Sequence, residues 1–193
     1  MAKPPRFPYT PSSDADSEEA RMTAEAERVV LEAYGPTFKF LDDDGAPKGP
    51  FPPLLYTPSL FVTYLKLSHA NLTYKSFVAR QRELAVLATA GVTQAQYILY
   101  AHKRIGVSTG LSQEQVDDAA AGRAPKGLEG KDAAIYDLSL EMAKNFGRLE
   151  DRSWERGEKE LGKEAIAALS QIVGSIMLSS CLVNIADAEP PQD

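Results

Sequence analysis

A single histidine, His102, lies near the end of the segment TQAQYILYAHKR, whose other side chains are mostly apolar, aromatic or amide-bearing. The segment contains no cysteine, no second histidine and no motif typical of a serine nucleophile. Imidazole gains or loses a proton near neutral pH, and it is the commonest general acid or base in enzymes. What His102 could do therefore depends on the group that the fold brings to its ring.

Two helices joined by a tight turn are predicted to position this histidine. The apolar pattern over residues 80–90 predicts the first helix, and Gly91 is expected to end it. A capping box formed by Thr93 and Gln96 predicts the start of the second helix. The two helices should then form an antiparallel hairpin.

Glu83 on the first helix and His102 on the second lie at equal distances from this predicted turn. In an antiparallel hairpin such residues are neighbours, and both side chains follow the apolar stripe of their helix. The sequence therefore predicts a carboxylate–imidazole pair in an aliphatic seam, and such a pair can transfer protons. Two alternatives need no catalysis: the two groups only satisfy each other in the core, or Glu83 pairs with Arg80 or Arg82.

The side chains expected around this pair form a mostly apolar candidate pocket. Its predicted members are Ala95, Ile98, Leu99, Tyr97 and Phe51. Phe51 belongs to residues 35–58, where six prolines and three glycines predict a structured loop of the kind that covers pockets. Tyr97 or Tyr100 could donate a hydroxyl hydrogen bond or simply pack, and Arg82 and Lys103 could attract an anion.

Helical patterns also account for most of the remaining chain, and no run of alternating residues predicts a strand. The last helix, about residues 164–187, has no charged residue between its ends and is long enough to span a bilayer. Its scattered serines, glutamine and asparagine favour a central core helix instead. We therefore predict an all-α protein with an extended arm over residues 1–16, one domain over 17–188 and a tail over 189–193.

Composition excludes several functional classes. Of the 193 residues, 44% are hydrophobic and 25% are charged, which is typical of a globular domain. The net charge of −6 and the lack of a basic run argue against nucleic acid as a partner. The single cysteine, Cys181, excludes an intrachain disulfide, and the two histidines lack metal-ligand spacing. The N-terminal segment has no signal-peptide pattern, so we expect a cytoplasmic protein that needs no membrane and no metal.

Residues 80–122, RQRELAVLATAGVTQAQYILYAHKRIGVSTGLSQEQVDDAAAG, resemble the central region of the carboxymuconolactone decarboxylase family. The likeness rests on Arg82-Glu83, on the QY and AH pairs of the second helix and on the GLS that follows, and it extends over residues 49–184. That family shares its fold with the alkylhydroperoxidase AhpD. The resemblance implies an AhpD-like bundle of about six to eight helices, assembled as a dimer, trimer or hexamer.

This sequence departs from both branches of that family near the histidine. The peroxidase branch has two cysteines where this chain has Ala95 and Ile98. The upstream glutamate of the peroxidase relay corresponds to Glu83. Where the decarboxylase branch has Tyr-Glu-Trp it has Tyr97-Ile98-Leu99, so the expected acid is an isoleucine. Cys181 lies on another helix and matches neither cysteine position, which favours a small buried role for it.

The resemblance and the residues together lead to one functional hypothesis and two alternatives. The hypothesis is a cofactor-free, non-redox, lyase-like enzyme that acts on a small apolar carbonyl, acid or lactone compound by decarboxylation, isomerisation or rearrangement. His102 would be the general acid or base, and Glu83 would orient it. The first alternative is a non-catalytic oligomeric binding or scaffold protein of the same fold. The second is alkylhydroperoxidase activity, which would require an external thiol.

Overall fold

The computed structural model describes residues 4–9, 14 and 16–191. These residues form nine helices, namely α1 (Glu18–Tyr34), α2 (Phe51–Leu55), α3 (Pro58–Thr73), α4 (Ala79–Thr93), α5 (Gln96–Ser108), α6 (Gln113–Ala120), α7 (Gly130–Lys144), α8 (Asp151–Leu161) and α9 (Lys163–Ala186). In these residues the β-type pairing is limited to one isolated bridge between Leu41 and Pro47. The predicted all-α class is confirmed.

Helix α2 is the element that exceeds the predicted six to eight helices, because it lies inside the segment that was predicted to be a loop. Prolines occupy the second and third positions of its sequence FPPLL. The N–H groups of a first helical turn have no partner within the helix, so proline removes nothing there. Phe51, Leu54 and Leu55 are buried in a cluster with α1 and α3 residues. Their burial holds the loop onto the body of the protein.

Helix α4 is the centre of the bundle. Every residue from Glu83 to Ala90 is buried, and the helix packs against α5, α6, α7 and α9. A helix that is surrounded on all sides needs no polar face, which explains why its apolar residues are continuous rather than periodic. Any charged side chain in this stretch is consequently removed from solvent.

The turn between α4 and α5 lies later than predicted. Helix α4 continues through Gly91 to Thr93, so the prediction that Gly91 ends it is wrong. A Cβ at Gly91 would lie 2.5 Å from the backbone oxygen of Ala120, so this glycine permits close contact with the end of α6. Gln94 adopts the left-handed conformation that ends α4, and Ala95 is the N-cap of α5.

Thr93 does not cap α5, and the predicted capping box with Gln96 is wrong. Its hydroxyl instead bonds to the Oγ of Ser180 on α9, at 2.8 Å. The equivalent device does occur at α6, where Ser112 and Gln115 form a reciprocal capping box. The difference is that tertiary contact with α9 engages the threonine hydroxyl, whereas Ser112 remains free to cap.

Helix α9 is long and apolar enough to cross a membrane by length and composition. It packs against α4, α7 and α8 and also contacts α2, α3 and α5. Buried residues make up 39% of its most apolar window, and a core helix passes the same compositional test. One such helix is weak evidence for a membrane span.

The predicted N-terminal arm is partly described. Residues 1–3, 10–13 and 15 lie outside the described residues, as do residues 192–193 of the predicted tail. Arg6 donates to the backbone oxygen of Ile185 at 3.0 Å, and the ring of Phe7 packs edge-on against Tyr56 at 5.5 Å. The described part of the arm therefore contacts its own chain, near the end of α9 and beside α2.

Candidate active site

Glu83 and His102 contact each other in the structure. The Nδ1 atom of His102 lies 2.7 Å from Oε2 of Glu83. The His102 side chain is 12% exposed and the Glu83 side chain is 4% exposed. The central position of α4 buries the carboxylate, and α5 brings the imidazole to it from the other side of the turn.

The pair has a defined tautomer when Glu83 is ionised. A carboxylate oxygen can only accept a hydrogen bond, so Nδ1 of His102 must donate the proton in this contact. The lone pair of the neutral ring is then on Nε2. Among the described residues nothing hydrogen-bonds to Nε2. The arrangement leaves one imidazole nitrogen ready to accept a proton from a bound molecule.

A cavity of about 130 Å³ lies beside the pair. Its lining comes from α1 to α5, from α9 and from the segment between α1 and α2. It is mostly aliphatic or aromatic, with Val30, Phe38, Leu65, Val86 and Ile172 among its members. A dry engineered cavity of about 150 Å³ is large enough for benzene. The cavity therefore matches one small ring rather than an extended chain.

Three of the five predicted pocket residues line this cavity, namely Phe51, Tyr97 and Ile98. Ala95 and Leu99 do not, which corrects the predicted pocket. Ala95 is fully buried at the start of α5, and Leu99 packs against the main core cluster. Sharing a helix with His102 was not sufficient, because these two side chains pack in the main core rather than at the cavity surface.

The groups predicted to assist the histidine are mostly engaged elsewhere. The Tyr97 hydroxyl donates to the backbone oxygen of Lys39 at 2.6 Å, which ties the loop before α2 to α5. The guanidinium of Arg104 stacks on the ring of Tyr100, with its central carbon 3.9 Å from the ring centroid. Tyr100 does not line the cavity. Lys103 pairs with Asp117 at 2.9 Å. Of the two cations proposed to attract an anion, Arg82 alone lines the cavity.

Tyr34, at the end of α1, is a functional candidate that the sequence reasoning did not name. Its ring stands edge-on to the imidazole of His102, with centroids 5.8 Å apart. Tyr34 continues the apolar stripe of Ala26 and Val30 at a spacing of four residues, and this signal could have revealed it. Burial and the nearby charge of Glu83 raise the pKa of Tyr34 well above its ordinary value.

Hydrogen bonds between α3 and α9 join polar residues of the cavity wall. Tyr64 on α3 shares a hydrogen bond of 2.9 Å with the Oγ of Ser179 on α9. Asn71 donates to Ser175 Oγ at 2.7 Å. Burial raises the pKa of Tyr64, so its hydroxyl stays protonated and available for this bond. These contacts fasten α3 to α9 across the cavity.

A second cavity of about 350 Å³ adjoins the first. Tyr34, Arg82 and Glu83 line both cavities, whereas His69, Thr73, Ser108 and Thr109 add polar groups to the second. His69 is exposed. The carboxylate of the pair thus lies between an apolar chamber and a polar one.

Neither a thiol nor a metal cluster is found beside the pair in the described part of the chain. Cys181 is exposed on α9, which corrects its predicted burial, and it lines neither of the two cavities. No group of three or more histidine, cysteine or acidic side chains among the described residues could hold a metal ion. The carboxylate and the imidazole that meet here can transfer protons and form hydrogen bonds.

No protein-family model matches the sequence, and no curated protein matches it. Solved structures do match. The crystal structure of an AhpD core, an uncharacterised peroxidase-related protein from Ralstonia eutropha JMP134, has a TM-score of 0.74 and 21% identity, over 99% of this chain and 95% of that chain. The chain has an AhpD-like fold. The fold expected from the sequence resemblance is therefore confirmed.

A debrominase shares this fold. Bmp8, crystallised as a cysteine-to-alanine variant in complex with 2,3,4-tribromopyrrole, has a TM-score of 0.74 and 13% identity, over 94% of this chain and 90% of that chain. The two neighbours are a debrominase and a peroxidase-related protein, so AhpD-like folds carry enzymes of different chemistry. At these identities the likeness concerns the fold, and the reaction must be argued from the site.

Proposed function

We propose that this chain is a cofactor-free enzyme that moves a proton on a small, apolar, monocyclic carbonyl, acid or lactone compound. His102 is the general acid or base, and Glu83 holds it in the tautomer that exposes Nε2. The observation that carries the proposal is the 2.7 Å contact between Nδ1 and the buried carboxylate at the wall of a ring-sized cavity.

Isomerisation and decarboxylation of such compounds can share one enolate-like intermediate. In isomerisation, Nε2 takes the proton from the carbon beside the carbonyl, the C–H electron pair becomes a C=C bond, and the carbonyl π pair moves to oxygen. Protonated His102 then returns the proton to another carbon of the enolate, which completes the isomerisation. In decarboxylation, Nε2 first takes the proton of the substrate's carboxylic acid. The C–C pair stays on the ring carbon when carbon dioxide departs, and protonated His102 delivers the proton to that carbon. Glu83 stabilises the imidazolium in both cases.

The apolar lining supports this chemistry in two ways. It excludes water that would compete for the proton, and it strengthens the electrostatic contact between Glu83 and the charged ring. The bound 2,3,4-tribromopyrrole of Bmp8 is also a small substituted ring, which supports a monocyclic ligand in this fold. Ile98 lines the cavity at the position where the decarboxylase branch has an acid. Its alkyl side chain favours contact with an uncharged part of the substrate ring.

Proton exchange measures this function without the natural substrate. 2-Cyclohexen-1-one, cyclohexanone and γ-butyrolactone are incubated with the protein in deuterium oxide, and loss of the proton beside the carbonyl is followed by proton NMR. We expect the wild type to exceed the buffer rate with at least one compound. His102→Gln should lower the catalysed rate by about 100-fold or more.

Two further variants separate the mechanism from a loss of fold. Glu83→Gln should lower the rate, because an amide can donate as well as accept and no longer selects one tautomer. Glu114→Gln removes a surface carboxylate paired with Lys126 and should leave the rate unchanged. Wild-type exchange at the buffer rate with all three compounds, or full activity of His102→Gln, would contradict the proposal.

The second candidate is a non-catalytic ligand-binding protein of the same fold. It is supported by the missing thiol and the missing second acid at Ala95 and Ile98. This candidate predicts calorimetric binding of a neutral ring such as 4-nitrotoluene without any catalysed exchange. Alkylhydroperoxidase activity is disfavoured by the position of Cys181 outside both cavities, and equal peroxide consumption by wild type and Cys181→Ser would eliminate a thiol mechanism.

We also propose that the chain functions in the cytoplasm as a homo-oligomer, a dimer, trimer or hexamer. Leu178 and Ile185 are exposed on the same helix, α9, and Leu60 and Val62 are exposed on α3. Leu178 and Ile185 are seven residues apart and therefore share one face of α9, and an exposed apolar face supports a subunit contact. Light scattering of the purified protein measures the assembly directly.

A further inference from the structure

Tyr34 brings a phenol hydroxyl to the Glu83–His102 pair. The tyrosine is the last residue of α1, and its ring lies edge-on to that of His102 with 5.8 Å between centroids. It lines both the apolar cavity and the polar one. Tyr34 and His102 therefore line the same small cavity side by side.

The Tyr34 hydroxyl differs from the other two tyrosine hydroxyls of the cavity wall. Tyr64 is bonded to Ser179, and Tyr97 donates to the backbone oxygen of Lys39. Within the described part of the chain, no hydrogen bond engages the Tyr34 hydroxyl. Tyr34 is partly exposed at the cavity wall, so its unengaged hydroxyl is available to an atom of a bound ligand.

The protonation state of Tyr34 makes it a donor. Burial first, and then the charges of Glu83 and Tyr64, raise its pKa well above the ordinary value, and Arg82 opposes this shift. The phenol therefore keeps its proton across the physiological pH range. It can therefore donate a hydrogen bond to an acceptor atom of the ligand.

We propose that Tyr34 is a catalytic residue whose hydroxyl donates a hydrogen bond to the carbonyl oxygen of the bound ring. The inference rests on the proposed function, since it names the group that receives the charge created by His102. It also narrows the substrate class to monocyclic ketones and lactones, whose oxygen lies at the Tyr34 side of the cavity.

The step is balanced without a further reactant. His102 Nε2 gains the proton from the carbon beside the carbonyl, and the carbonyl oxygen gains the displaced π pair. Tyr34 keeps its own proton and strengthens its hydrogen bond as the oxygen becomes negative. Glu83 bonds to Nδ1, the other nitrogen of the imidazole, and stays ionised throughout the step.

The test uses 4-nitrophenol as a probe for an oxygen that carries negative charge, and 4-nitrotoluene as its neutral counterpart. Dissociation constants are measured by calorimetry for the wild type, Tyr34→Phe and Tyr136→Phe. Tyr136 is buried on α7 and lines neither of the two cavities, so its variant controls for the loss of a buried hydroxyl.

The Tyr34→Phe variant should bind 4-nitrophenol about ten- to 100-fold more weakly than the wild type, as expected for a bond to a charged acceptor. Its affinity for 4-nitrotoluene should be unchanged, because the ring of residue 34 remains. Tyr136→Phe should bind both compounds as the wild type does. The visible spectrum of bound 4-nitrophenol should show more of the ionised form in the wild type than in Tyr34→Phe.

Two results would overturn the inference: equal affinity of the wild type for both compounds, or an equal loss of affinity for both in Tyr34→Phe. Proton exchange at the wild-type rate in Tyr34→Phe would refute it while leaving the proposed function standing. Conversely, a wild type that prefers 4-nitrophenol through Tyr34 but catalyses no exchange would retain the oxygen site and refute the proposed function.

Discussion

Gly49 is the position where a single methyl group should disturb the loop that covers the cavity. Its φ of +73° lies in the left-handed region, and a Cβ there would come within 2.5 Å of two ring carbons of Tyr97. Tyr97 lines the cavity and anchors the same loop through the backbone oxygen of Lys39. Gly49→Ala therefore imposes backbone strain and a steric clash together.

The two costs can be separated by a matched glycine. Gly122 has a φ of +71°, and a Cβ there would have nothing within 4 Å. Gly122→Ala should thus cost only the left-handed strain, about 1–2 kcal/mol of unfolding free energy. Gly49→Ala should cost that amount plus about 1–3 kcal/mol for overpacking against Tyr97.

Urea denaturation of the two variants measures the difference directly, provided that both transitions keep the wild-type slope. Binding of 4-nitrotoluene is the second assay, because movement of the Tyr97 ring changes the cavity. We expect weaker binding for Gly49→Ala and wild-type binding for Gly122→Ala. Equal stability losses, or unchanged binding in both variants, would show that the contact between Gly49 and Tyr97 is not as described.

Three further predictions concern the cavity, the pH dependence and the assembly. Ala101→Leu adds three carbons to the cavity wall and should weaken 4-nitrotoluene binding by about tenfold or more. A wild-type affinity of this variant in calorimetry would show that the compound does not bind in this cavity. Burial raises the pKa of Tyr136 to about 12. The unfolded chain ionises first, near the ordinary value of 10, so stability should fall as pH rises above 10. Urea titrations between about pH 9 and 11 should show a shallower fall for Tyr136→Phe. Leu178→Lys should lower the mass measured by light scattering, and an unchanged oligomer would exclude this face of α9.

The Glu83–His102 pair could be predicted although the turn was misplaced. With the turn at Gln94 and Ala95, the residue strictly opposite Glu83 is Gly106, not His102. His102 lies four residues away, about 6 Å along the helix, and helical periodicity keeps it on the same face. The long glutamate and histidine side chains span this offset. Face and side-chain length mattered more than exact register.

The helix ends near the turn could not be predicted from local patterns, because tertiary contacts decide them. Gly91 and Thr93 are residue types common at helix ends. In the structure Gly91 instead allows Ala120 to pack closely against α4, and the Thr93 hydroxyl bonds to Ser180. Both partners are distant in sequence. Local capping rules were sufficient at Ser112, where no such partner interferes.

The polar end of the cavity was the part of the site that the sequence concealed. Tyr34, Tyr64 and Ser179 come from three helices and meet the α4–α5 hairpin only through packing. A helical stripe can show that Tyr34 faces inward, but it cannot show which helix it faces. The same limit explains why Ala95 and Leu99 were assigned to a wall that other helices supply.

The tautomer of His102 is the most direct test of the account, because the proposed chemistry requires a proton on Nδ1 and a lone pair on Nε2. Nitrogen NMR of histidine labelled in the ring reports the protonation of each nitrogen, and His69→Gln assigns the two histidines. We predict that the neutral ring of His102 carries its proton on Nδ1 in the wild type and becomes a mixture of tautomers in Glu83→Gln. A wild-type ring protonated on Nε2, or one unaffected by Glu83→Gln, would contradict the account.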